Sequence, residues 1–474
     1  MQTGAAGVPD VPPTDLAAFS ACQLLKAYRL GDASPVEAMR AVLDRAAAWE
    51  PALGALYLTD PEGALAAASV SEARWRRGET VGPLDGVPVT IKDLIATRGQ
   101  PVPIGTAAAD MTPAAADAPP AARVREAGGI IFAKTTMPDY GMLSSGLSSF
   151  HPLGRNPWDL SRTPGGSSGG AGAAAAACIG PLHVGTDIGG SVRLPANWCG
   201  IFALKPSFGR IPIDPPYPGR VAGPMTRTVA DAALLMEVLS HPDARDHMSL
   251  PPQEIAWSDL AFDPRGKRIG LMMEAGCGLS VDPEIASAVQ AAAGKFAAAG
   301  AIVEPVPPFL THDLLDRVDL FWRVRFCLQI ALLPPERRAR ILPFIREWAE
   351  QSAGASGDAV YGGFDAMMQI RERGNRALQG YDFWLSPVAP VAAFAAELPC
   401  PTNDPRRPFE HIAFTVPFNM TEQPAASVPC GFTEAGLPIS LQIIGHRFDD
   451  PGVLHASAWF ERALGPLREW PVRG

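Results

Sequence analysis

The chain has 474 residues, 47% of them hydrophobic and 19% charged, with a formal net charge of −9 at pH 7. These proportions supply a large apolar core and exclude an intrinsically disordered chain, and the acidic balance, with no basic run, argues against a nucleic-acid ligand. Seven scattered cysteines without a Cys-x-x-Cys pair argue against a disulfide framework or a zinc site and predict reduced, buried thiols. The first residues lack a basic segment followed by an apolar one, and the longest small-apolar stretch, 171–185, is too short for a membrane span and holds Pro181 and His183. A soluble cytoplasmic protein is therefore expected.

Residues 1–13 are rich in Gly and Pro and predict a flexible arm; 14–474 read as one domain. Ser20 caps a short helix that stops near Gly31. Ser34 followed by Pro35 opens a helix to about Trp49, and Asp60–Pro61 repeats that signal for a helix ending at Gly78. All three are amphipathic scaffold elements. Within 86–95, Val87, Val89 and Ile91 alternate with smaller or polar residues, which predicts a strand delivering Lys92 beside Asp93. A lone lysine reads as a solvated surface charge; here its context decides otherwise. A second apolar run, 129–134, predicts a buried strand ending at a Thr-Thr-Met-Pro turn, with Lys134 as a second lysine at a strand end. The Ser/Gly loop 141–150 should border the site.

The stretch 163–194, TPGGSSGGAGAAAAACIGPLHVGTDIGGSVRL, holds two glycine-bracketed serine clusters, around Ser167–Ser168 and at Ser191. Tight Gly-Ser turns bring backbone N–H groups close to a ligand and expose a serine hydroxyl. Ser167 is also centred in a Gly-x-Ser-x-Gly match, the pattern of a nucleophile elbow. An elbow needs a preceding strand, and Ser161–Gly165 is a turn sequence, so that reading is set aside. A helix from Ala171 to Cys178 is expected.

Three segments in this order, GVPVTIKD, TPGGSSGG and GTDIGGSVRLPA, resemble the amidase signature family, and the intervals from Lys92 to Ser167 and Ser191 match those of its Ser-Ser-Lys triad. AKTTMPDYG, NPW, ALKPSFGR, GPMTRTVAD and, near the C-terminus, FNMTEQPAASVPCG followed by GLPISLQIIG extend the likeness over most of the chain. The signature core covers about 84–235.

Beyond Ser191 the run Ile201–Pro206 precedes a proline-rich loop to about Gly223. Helical spacing follows over 229–240 and 283–300, with strands at 268–271, 301–306, 381–387 and 437–445 and a C-terminal helix from about Pro451. The segment 310–381 is mostly helical and carries Phe321, Trp322, Phe326, Trp348, Tyr361 and Phe364. Strands alternating with helices predict an α/β fold, a single domain whose central mixed, largely parallel sheet is flanked by helices on both faces.

Amide hydrolysis needs a nucleophile, a base that returns the proton to the leaving nitrogen, and donors for the oxyanion. The resemblance implies Ser191 as nucleophile, Lys92 as base and Ser167 as proton relay, the last following a cis peptide bond from Gly166. It also implies that the N–H groups of Ile188, Gly189, Gly190 and Ser191 receive the oxyanion and that Gly141 borders the substrate. Ser168 supports the turn, Asp187 and Arg193 orient the nucleophile loop, and the resemblance makes Lys134 a scaffold residue. A lysine base must be neutral, which burial or neighbouring positive potential provides. The eight histidines include no clustered pair, so nothing favours a Ser-His-Asp site. No metal and no cofactor is expected. The predicted pocket wall is 141–145, the aromatic-rich 310–381 and 387–394, with most of those aromatics in the core.

The expected partner is a small-molecule amide, with an aryl or other bulky group, or a carbamate or urea derivative. Neither nucleic acid nor membrane is involved, and a homodimer is left open. A second reading is the glutaminase subunit of a tRNA-dependent amidotransferase. Two departures favour the free-standing hydrolase: Asp139 stands in place of Glu, and Thr421-Glu422-Gln423-Pro424 replaces a Gly-x-Pro pattern. The intact triad argues against a catalytically dead binding protein.

Overall fold

The computed structural model describes residues 15–471; the expected arm, 1–13, lies outside them. Eleven strands are formed: β1 Leu56–Tyr57, β2 Pro88–Lys92, β3 Ile130–Thr135, β4 Leu182–Asp187, β5 Phe202–Lys205, β6 Val221–Thr226, β7 Arg268–Leu271, β8 Ile302–Pro305, β9 Phe383–Pro387, β10 Ala425–Phe432 and β11 Pro438–Ile444. They build one continuous sheet in the order β1-β3-β2-β4-β6-β5-β10-β11-β9-β7-β8. The sheet is mixed as expected, but it is not largely parallel. Parallel pairing holds β3-β2-β4 at one end and β9-β7-β8 at the other, while every pairing from β4 through to β9 is antiparallel.

The alternation of side chains along a strand sorts the two faces. On β5, Phe202 and Leu204 enter a core shared with the helices Val229–Leu239, Pro283–Ala298 and Asp450–Leu464. Ala203, between them, packs on the opposite face against the helices Gly169–Ala176 and Arg193–Cys199. The Gly/Ala composition of 169–176 follows from that position. A Cβ on Gly170 would stand 2.4 Å from the Ala55 carbonyl oxygen and 2.5 Å from Thr136 N, so only glycine lets this buried helix close on the neighbouring backbone.

Capping boxes at Ser20 and Ser34 and the Asp60 side chain start the first three helices as expected. The second continues past Trp49 to Leu53, because Glu50 holds the next turn by accepting from Ala55 N and Leu56 N. Strands β1, β4, β6 and β10 were not anticipated. β6 runs through what reads as the end of a proline-rich loop; its Pro224 lies outside the short register with β5, which spans Phe202 and Ala203 only. β10 tolerates Pro429 at a break in its register with β11. All seven cysteines are free, but Cys22 is exposed and Cys277 and Cys327 are half-buried, so uniform burial is not found. No helix among the described residues is long and apolar enough to cross a membrane.

Candidate active site

β2 is buried along its length and ends on Lys92, whose side chain is wholly enclosed. Its Nζ lies 2.8 Å from Ser167 Oγ, 2.8 Å from Ser168 Oγ and 3.0 Å from Thr186 Oγ1. Two of these partners are locked to each other. Ser168 Oγ donates to the Thr186 carbonyl and accepts from Thr186 N, both at 3.2 Å, and Ser168 N donates to the Ser191 carbonyl at 3.1 Å. Ser168 thus ties the two serine turns together and also touches the lysine. For Ser167 Oγ, Lys92 is the single hydrogen-bond partner among the described residues. The Gly166–Ser167 peptide is cis, as the resemblance implies, and no strand precedes Ser167, which removes the elbow reading. Thr186 is the contact that sequence reasoning missed; it sits inside the GTDIGGS segment, one residue before Asp187.

Burial pushes the Lys92 ammonium down from its ordinary 10.5 to about 7. Asp187 and Asp93 pull it back up, and Arg220 adds a further downward push. Asp93 is directed elsewhere: its carboxylate accepts from Ile104 N at 3.1 Å, Gly105 N at 2.8 Å and His151 Nε2 at 2.7 Å.

The 187–193 segment is held by a buried charge network. Asp187 accepts from Gly190 N at 2.8 Å and Val192 N at 3.2 Å, and is bridged by Arg193. Arg193 also donates to the Thr415 carbonyl, Gln442 Oε1 and Asn419 Oδ1. Burial alone would raise the Asp187 carboxyl, but the Arg193 guanidinium holds it well below the usual carboxylate range. This geometry changes the expected donor set. The Gly190 N–H is committed to Asp187, whereas those of Ile188, Gly189 and Ser191 have no acceptor among the described residues. Gly190 serves the loop instead by its conformation: φ is +127°, and a Cβ there would meet Thr415 Oγ1 at 2.5 Å.

Ser167, Thr186, Ile188, Gly189 and Ser191 open onto a cavity of about 270 Å³. Its walls include Tyr140 to Ser144, Gly141 among them. From 310–381 the helix His312–Ala331 contributes Trp322, Arg325, Phe326 and Gln329. The other aromatics named in that segment do not line it: Phe321 is half-buried against the core, Trp348 is fully buried, and Tyr361 and Phe364 face solvent. The segment 387–394 does not line the cavity; Phe409 and Ile412 do, with Pro215 and Arg220. Residue 394 instead packs on Trp198 behind the site, with ring centroids 5.4 Å apart. Among the described residues, no acid and no histidine lines this cavity. Lys134 is buried and donates to the Ile95 carbonyl at 2.8 Å, in keeping with a scaffold role. Asp139 accepts from Ser149 N, Ser149 Oγ and Leu342 N, joining the Tyr140 turn to the segment beyond 341.

Chemically, the arrangement offers a lysine that can be neutral near pH 7, a hydroxyl with one partner, a second serine open to a cavity, and unpaired N–H groups beside it. A profile described as Amidase matches residues 37–454. The chain is 37% identical to the A subunit of glutamyl-tRNA(Gln) amidotransferase from Myxococcus xanthus over 467 residues, covering 91% of this chain and 94% of that one. Its fold is similar to that of a bacterial aryl acylamidase of the amidase signature enzymes, with TM-score 0.87, 30% identity, and coverage of 94% and 96%. It is also similar to 6-aminohexanoate cyclic dimer hydrolase, with TM-score 0.85, 27% identity, and coverage of 97% and 99%.

Proposed function

The chain belongs to the amidase family, and from that premise we propose that it is a free-standing hydrolase of a linear carboxamide bearing an aryl or other bulky group. The observation that carries the reading is the buried Lys92 at 2.8 Å from Ser167, at the edge of an apolar cavity onto which Ser191 opens. Neutral Lys92 donates two hydrogen bonds and accepts one, so one of its three hydroxyl contacts runs toward the nitrogen. Ser168 Oγ already donates to the Thr186 carbonyl, which leaves the Ser167 and Thr186 hydroxyls able to place a proton on Nζ, and the relay uses that of Ser167.

In the first half-reaction Ser191 Oγ attacks the amide carbon, its proton passes to Ser167 Oγ, and the Ser167 proton passes to Lys92. The N–H groups of Ile188, Gly189 and Ser191 receive the oxyanion. The C–N bond then breaks as the proton returns through Ser167 to the leaving nitrogen, releasing ammonia or an amine and leaving an ester on Ser191. Water repeats the sequence in place of the serine and releases the carboxylic acid. Asp187 and Arg193 keep the loop in register and touch no reacting atom. A carbamate fits the same steps.

A second reading, a glutaminase subunit serving a tRNA-dependent partner, is favoured by the likeness to the Myxococcus protein. The cavity chemistry opposes it. Glutamine carries an ammonium as well as a carboxylate, and among the described residues the lining offers two arginines and no acid to receive that ammonium. The test is the purified chain alone against an aryl anilide, a benzamide, a short aliphatic amide, a carbamate and glutamine, with Ser191→Ala as control. Turnover of an anilide or amide, lost in the variant, supports the free-standing hydrolase. Weak glutaminase activity and nothing else would reverse the assignment.

A further inference from the structure

Arg220 and Arg325 both line the cavity, and neither forms an ion pair among the described residues. Each is instead held by neutral groups. Arg220 donates to the Pro215 carbonyl, in the turn closed by Arg220 N on the Tyr217 carbonyl at 3.0 Å. The Arg325 guanidinium lies over the Tyr217 ring, 3.7 Å from its centroid. Tyr217 therefore joins the 215–220 turn to the helix His312–Ala331 and brings both cations to one side of the cavity. Two acids lie near Arg220 but neither lines the cavity: Asp246 accepts from Ile213 N at 2.9 Å and Met248 N at 2.8 Å, and Asp214 is exposed. Burial and then the Arg325 charge lower the Arg220 pKa to about 10, against an opposing pull from Tyr217, Asp246 and Asp214.

We propose that Arg220 and Arg325 form an anion subsite, so that the preferred substrate is an amide carrying a carboxylate on the part of the molecule lying against the 215–220 turn. Two partly desolvated guanidiniums at a cavity that no acid lines among the described residues favour a bidentate anion, which would replace solvent with charge-assisted hydrogen bonds. Trp322, Phe326 and Phe409 line the rest of the space and suit an apolar or aryl body between that anion and the scissile bond. The inference rests on the hydrolase reading for its meaning and not for its detection.

Two measurements test it. The first compares kcat/KM for glutaryl-4-nitroanilide and neutral pentanoyl-4-nitroanilide, and for N-acetyl-4-aminobenzoate and acetanilide, in wild type, Arg325→Gln and Arg325→Lys. In at least one pair the anionic member should be preferred by about ten- to a hundredfold. That ratio should collapse in Arg325→Gln, chiefly through KM, partly survive in Arg325→Lys, and fall with added salt. The second titrates the Ser191→Ala protein with pentanoate, benzoate and their neutral amides by calorimetry, so it needs no turnover. The carboxylates should bind more tightly than the amides, and Arg325→Gln should remove the difference. Neutral anilide turnover with no anionic preference and no carboxylate binding would overturn the anion subsite and leave the hydrolase standing. Carboxylate binding without turnover of any amide would keep the subsite and sink the hydrolase.

Discussion

Replacing Lys92 with Met should abolish turnover and, below pH 7, stabilise the protein. The folded chain holds this lysine at a pKa of about 7, against 10.5 in its ordinary state. Below pH 7 the lysine is charged in both folded and unfolded chains, and the folded state carries the full cost of burying that charge. At 1.36 kcal/mol per pKa unit this cost is about 5 kcal/mol. Methionine of similar length escapes it but forfeits three hydrogen bonds to Ser167, Ser168 and Thr186, worth about 1 kcal/mol each. The variant should therefore be more stable by about 2 kcal/mol at pH 6. Between pH 7 and 10.5 the unfolded chain binds a proton that the folded one does not, so wild-type stability rises with pH. The gain over the variant is about 1.4 kcal/mol per unit, and the difference should change sign between about pH 8 and 9. Lys134 and Lys205, buried and lowered to about 8 and about 7, contribute to both proteins alike and cancel in the difference. Urea unfolding of both proteins from pH 6 to 9 measures it. A variant less stable than wild type at pH 6, or a difference that does not vary with pH, would refute the reasoning.

The same titration governs activity: kcat/KM for an anilide should rise with pH through about 7, as Lys92 becomes the neutral base, and a profile flat from pH 6 to 8 would exclude the lysine from that role. Ser167→Ala should lower kcat strongly with little change in KM, yet retain more activity than Ser191→Ala, since a water can occupy the space beside Lys92; steady-state kinetics on one anilide compares them. Asp187→Ala should destabilise the fold by about 3–5 kcal/mol, because it leaves Arg193 buried without its counter-charge, and should cost activity as well by freeing the Gly190 and Val192 N–H groups that shape the loop; thermal unfolding and kcat on the same sample report both effects.

Much of the site could be read from the sequence because its chemistry is local. Lys92 ends an alternating strand, and the serines lie in glycine turns whose order and spacing carry a family resemblance. The helices at Ser20, Ser34 and Asp60 were legible for a similar reason, since a cap and a following proline act within one turn. What escaped was fixed by tertiary neighbours. β6 looks like a proline-rich loop until β4 and β5 pair with it on either side. The parallel-to-antiparallel balance of the sheet depends on connections that alternation cannot show. In the site, Gly190 could be counted as an oxyanion donor until the Asp187 carboxylate was seen to take its N–H. Trp322 and Phe326 could not be separated from Trp348 and Tyr361 within one aromatic-rich segment, because helix rotation, not composition, decides which ring faces the cavity. Arg220 and Phe409, far apart in the chain, carry no signal in the sequence that would join them.

The central claim, acyl transfer through Ser191 driven by Lys92, is tested most directly by trapping the acyl-enzyme. An activated anilide is mixed with the isolated chain, the reaction is quenched during turnover, and the mass of the peptide containing Ser191 is read. The account predicts one acyl group on Ser191, formed faster as pH rises through about 7, formed slowly in Ser167→Ala and absent in both Ser191→Ala and Lys92→Met. Turnover with no acyl group on that peptide, or an acyl group formed at the wild-type rate in Lys92→Met, would contradict it.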